Sequence, residues 1–70
     1  MENAVSAFTE GMQRLQSRDM EGAVAAFTAS ITAMPQFEPS FRLRAEAYRA
    51  LGRIQEAEAD LGSVVQITRA

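Results

Sequence analysis

The stretch "DMEGAVAAF", Asp19–Phe27, decides how the rest of this chain is read. Met20, Ala23 and Phe27 stand three and four positions apart, so all three fall on one face of a helix. Small residues fill most of the space between them. A helix this rich in alanine can approach its neighbour closely, and few large side chains are then needed to fix the packing. The same shape returns in "RIQEAEADL", Arg53–Leu61, where Ile54, Ala57 and Leu61 keep the spacing.

Outward from these two stretches the helical period continues. After Asn3, an N-cap residue type, Val5, Phe8, Met12 and Leu15 recur at steps of three and four, with Ala4, Ala7 and Gly11 widening the face. A second helix follows "QSRD", capped by Asp19, with Met20, Ala23, Val24, Phe27, Ile31 and Met34 as its apolar stripe; Pro35 ends it. In the connection "PQFEPS", Pro39 suits the first turn of a third helix, where its missing N–H would be unpaired anyway. That helix runs to about Leu51. Gly52 is a C-terminal stop, and Ile54, Ala57, Leu61, Val64 and Val65 give the stripe of a fourth. Strand patterns are absent, because the pair Val64-Val65 sits inside a helical period. The fold class is all-α: four helices joined by short loops, in one domain over residues 1–70.

Composition narrows the chemistry. Seventy residues support a single core, and 47% hydrophobic but only 7% aromatic residues make that core thin. With no cysteine and no histidine, disulfides, thiol nucleophiles, the usual zinc ligands and the commonest acid–base residue are all removed. No cofactor is expected. A formal charge of −2 disfavours nucleic acid as a partner, since such a binder carries a basic excess on one face. "MENAVSAF" at the start lacks the basic leader and apolar run of a secretory signal, and no window approaches the roughly 20 apolar residues of a membrane span. A cytoplasmic module without a membrane partner is the expectation; a mature exported chain would read the same.

Ala23 and Ala57 are 34 residues apart, and the same offset pairs Phe27 with Leu61, Met20 with Ile54, Ile31 with Val65 and Gly11 with Ala45. A helix-turn-helix unit of this length is the period of the tetratricopeptide repeat, and the chain resembles two of them in tandem. Gly11, Ala23, Phe27 and Pro35 match the family pattern in a first unit, about residues 4–37. Phe41, Ala45, Tyr48, Ala57 and Leu61 match it in a second, about residues 38–70. The resemblance implies four antiparallel helices in a short right-handed solenoid. In it, Ala23 and Ala57 would be close-contact positions opposite Gly11 and Ala45, with Phe27 and Leu61 plugging the gap beside them. Three residues depart from the pattern: Arg14 and Arg44 stand where the family places apolar residues, and Arg69 replaces the second terminal proline.

Repeats of this family generally bind peptides or protein segments in a concave groove lined by the first helix of each pair. By resemblance, the groove positions are Val5, Phe8, Met12 and Leu15 in unit one and Arg42, Glu46 and Arg49 in unit two. An apolar stripe at helical spacing is ordinarily core, and a charged one is ordinarily a solvated face. The functional alternative is that Arg42 and Arg49 grip the carboxylates of an acidic segment, as planar guanidinium groups do with two hydrogen bonds. Family members that hold the acidic tails of heat-shock chaperones need Lys and Asn on the first helices; Phe8, Met12 and Leu43 occupy those places here.

No motif organises an active site. Glu56 and Asp60, four apart on a helix, resemble a carboxylate dyad but are expected on a solvated outer face, and an enzyme reading would need a substrate docked near Glu46 or Glu56. The expected function is therefore a non-catalytic module that binds a peptide or protein segment. The alternatives are a self-assembling unit, a homodimer or helix-exchanged oligomer paired through Leu61, Val64 and Val65, and a piece of a longer repeat array.

Overall fold

Asn3 opens the first helix by accepting the Ser6 N–H on its side-chain oxygen at 2.8 Å, and Asp19 does the same for the Gly22 N–H at 3.0 Å. The computed structural model describes residues 3–69. Among those residues there are four helices and no strand: α1 Ala4–Gln16, α2 Met20–Ala33, α3 Glu38–Ala50 and α4 Ile54–Arg69. Pro39 lies in the first turn of α3, and α2 stops just before Pro35.

The two hairpin turns are built alike. In the first, the Asp19 N–H donates to the Arg14 carbonyl at 2.8 Å and the Arg18 N–H to that of Leu15 at 3.0 Å. In the second, Arg53 donates to Tyr48 at 2.8 Å and Gly52 to Arg49 at 3.0 Å. This pair of bonds closes a helix through one residue in the left-handed region, here Arg18 with φ 65° and Gly52 with φ 78°. Glycine takes that conformation freely, whereas arginine is strained in it. The 34-residue period is thus present in the backbone as well as in the side chains.

α1 packs on α2, α2 on α3 and α3 on α4, while α1 and α4 do not touch. The Cα envelope measures 31 × 30 × 14 Å, so the helices form a slab. In a closed four-helix bundle the first and last helices would meet; here the array is open.

Its interior is mostly alanine. Ala4, Ala7, Ala23, Ala26, Ala45, Ala47 and Ala57 are buried, and Phe27 is the large apolar side chain fully enclosed with them. A Cβ added at Gly11 would lie 2.5 Å from the Phe27 ring, so the ring occupies the place that glycine leaves. The atoms nearest that added Cβ all belong to the Phe27 ring. On its other sides Phe27 meets Phe8, ring centroids 5.7 Å apart, and Phe8 meets Phe37 edge-on at 5.2 Å. Two buried serines tie the helices together: the Ser30 and Ser40 hydroxyls lie 2.8 Å apart, and the Ser30 hydroxyl donates to the Ala4 carbonyl at 3.2 Å.

The second hairpin is filled differently. Ala57 and Ala45 are both buried, but Leu61, which the 34-residue offset matches to Phe27, is exposed. The buried face of α4 runs through Ala57, Asp60, Val64 and Ile67, so Val64 is half-buried toward α3. Asp60 is not on a solvated outer face. It is 3% exposed and accepts from Arg44 Nε at 2.8 Å and from its terminal nitrogen at 2.6 Å, a two-bonded grip across α3 and α4. Arg44 also donates to the Thr28 hydroxyl at 3.0 Å and lies within 6 Å of the Phe41 and Tyr48 ring centres, at 5.8 and 5.5 Å. The hydrogen bonds it donates to Asp60 raise the Arg44 pKa above its ordinary value, against the opposing effect of burial. An arginine fits this half-buried position because Asp60 and Thr28 partner its charge.

Ala57→Leu should overpack the α3/α4 contact and destabilise the chain by about 1–3 kcal/mol, whereas Ala59→Leu, at an exposed position, should cost much less; urea denaturation of both variants checks the helix face. Asp60→Ala should cost roughly 3–5 kcal/mol by leaving Arg44 unpaired in a confined site. The Arg44→Met/Asp60→Ala double variant should recover part of that loss, and a double-mutant cycle that adds without coupling would contradict the clamp.

Candidate functional site

The groove positions named from sequence divide into two sets. Phe8 and Leu15 are half-buried against the Phe27 core. Val5 and Met12, on the same helix, are 70% and 41% exposed. α1 therefore exposes two of its four apolar candidates, because α2 draws the other two inward. On α3 the counterparts Arg42, Glu46 and Arg49 are all exposed. Arg42 Nε lies 2.8 Å from Glu38 Oε2 one turn earlier, an ion pair without the alignment of a hydrogen bond. Arg49 has no ion-pair partner among the described residues. Arg42 and Arg49, seven residues apart, are separated by about 10 Å along the helix at 1.5 Å per residue. α1 and α3 touch one another, so the two sets of candidates lie on neighbouring helices.

Tyr48 is half-buried beside Arg44. Glu56 is exposed while Asp60 turns inward to Arg44, so the two do not form a dyad. Among the described residues no group of three or more acids is placed to hold a metal ion. No helix among them is long and apolar enough to cross a membrane.

Two shallow clefts lie elsewhere. One, of about 680 Å³, runs along the outer face of α1 past Thr9, Gln13, Arg14 and Asp19; the other, of about 440 Å³, lies between the α2–α3 loop and α4 beside Phe41 and Gly62. Of the groove candidates only Val5 borders either. In the first cleft Arg14 bridges Asp19 at 2.7 Å and Glu10 at 3.3 Å. The Arg14 hydrogen bond, with that from the Gly22 N–H, holds the Asp19 carboxyl below its ordinary value, and Asp19 raises Arg14 in return. Arg14, at odds with the repeat pattern, thus fastens the first hairpin turn from outside.

Sequence reasoning missed Phe37, the two serines and the Arg44–Asp60 clamp. Phe37 sits in the connection read only for its prolines. Asp60 carried a usable signal: it falls between Ala57 and Val64 on the buried period, where an unpartnered acid would be costly. Nothing in the local pattern marks Ser30 and Ser40 as partners.

Comparison of the chain with protein-family models, with curated proteins and with solved structures finds no match in any of the three.

Because the folded-state pKa of Asp19 is lowered, its contribution is complete above the ordinary carboxylate value and is lost as pH falls through the folded value. Asp19→Asn keeps an N-capping side chain but removes the charge. Below about pH 4 the wild-type chain should therefore lose stability more steeply than this variant, as followed by thermal melts across the acid range.

Proposed function

We propose that the chain is a non-catalytic interaction module built from two tetratricopeptide-like units, binding a peptide or protein segment across α1 and α3. The observation that carries this reading is the exposure of Val5 and Met12 beside the exposed Arg42, Glu46 and Arg49. An apolar half next to a charged half suits an extended segment with one apolar anchor and one carboxylate. The anchor rests on Met12, whose flexible thioether adapts to varied partners. The carboxylate goes to Arg49, while Arg42 must first exchange Glu38 for the ligand. The matching hairpin turns and the 34-residue period support the repeat reading.

Peptides selected from a random displayed library on the immobilised chain should carry an acid and a large apolar residue. Their affinity, measured by titration calorimetry, should fall roughly threefold to tenfold in the Arg42→Gln/Arg49→Gln variant, since exposed ion pairs are worth about 0.2–1 kcal/mol each. Added salt should act the same way, and Met12→Lys should weaken the same peptides. Peptides that bind all three proteins equally at every salt concentration would overturn the groove.

A further inference from the structure

The α4 edge of the array carries Ile54, Leu61 and Val65 on one face, 49, 37 and 50% exposed. The matching face of α2, with Met20, Phe27 and Ile31, is covered: Leu43 and Ala47 of α3 pack with Met20 and Val24 around Phe27. By the period of the fold, the α4 face is shaped to receive a helix.

A second copy of the chain can supply one in two ways. Head-to-tail stacking would put α1 where α3 sits on α2. The residues of α1 that match Ser40, Leu43 and Ala47 are Ser6, Thr9 and Gln13, exposed and polar, so they would be desolvated against apolar side chains with no partner. Two-fold pairing of α4 with α4 has no such conflict. Glu58 lies on the stripe between Ile54 and Leu61, and Arg69 lies one turn beyond Val65. An antiparallel pairing with its axis level with Ser63 sets Leu61 of each copy on Val65 of the other, and carries Glu58 of each toward Arg69 of the other. Gly62 lies one residue from that axis. A Cβ there would meet nothing within 4 Å, so no contact inside the chain calls for glycine at this mid-helix position, whereas two helices crossing there approach more closely without side chains.

We propose that the chain forms an isologous homodimer through antiparallel α4 helices, with Leu61 and Val65 at its centre and reciprocal Glu58–Arg69 pairs at its ends. Such an interface closes at two copies, unlike a head-to-tail contact. It uses none of the groove residues and stands or falls independently of peptide binding.

Sedimentation equilibrium from micromolar to millimolar protein tests it. The mass should rise to twice that of one chain and stop there. Leu61→Glu should return it to one chain with helicity unchanged by circular dichroism, while Val5→Glu, on α1, should leave the dimer intact. Glu58→Arg and Arg69→Glu should each weaken the dimer, and the two together should restore it. A mass of one chain at the millimolar end, or a mass that grows past two, overturns the proposal. A charge-swapped double variant no tighter than its parents overturns the antiparallel register.

Discussion

Phe27 standing over Gly11 is the contact on which the first three helices depend. Among the described residues Phe27 is the one large apolar side chain fully enclosed in an interior made mostly of alanine, and it packs with Phe8 and Leu15 of α1 and with Leu43 and Ala47 of α3 at once. Burying such a ring is worth about 1.5–3 kcal/mol, a large share for a chain this short. Gly11 makes it possible, since any side chain there would meet the ring. Phe8 and Phe37 then have a surface to pack on, which draws Phe8 inward and leaves Val5 and Met12 exposed on α1.

The second hairpin repeats the backbone of the first with a different interior. The turns share their hydrogen bonds and their left-handed residue, yet Leu61 does not play the part of Phe27. Phe27 is enclosed because helices lie on both sides of it; Leu61 has α3 on one side only. The hairpin instead closes through Arg44 and Asp60, whose two hydrogen bonds, the Thr28 hydroxyl and two aromatic faces satisfy the guanidinium. A buried charge pair of this kind holds geometry more than it adds stability, because desolvation offsets much of the attraction. The two edges of the array also differ: Ser6, Thr9 and Gln13 are exposed on α1, and Ile54, Leu61 and Val65 on α4.

Helix existence, helix caps and the 34-residue period were legible in the sequence because each depends on residues within a turn or two of one another. Asn3, Asp19, Pro39 and Gly52 act through local backbone geometry, and local geometry does not need the rest of the chain. The period of large and small residues likewise determined an all-α chain of two hairpins. Only the tertiary structure decided which side of each apolar stripe faces inward. Phe8 and Met12 share one helical face in the sequence, yet one packs under Phe37 and the other meets water; Asp60, polar by type, is buried, while Leu61 beside it is open. Burial is set by which helix lies opposite, and a side chain's own periodicity carries no record of that. For the same reason Arg44 and Asp60, sixteen residues apart, become partners only when α3 and α4 are laid together.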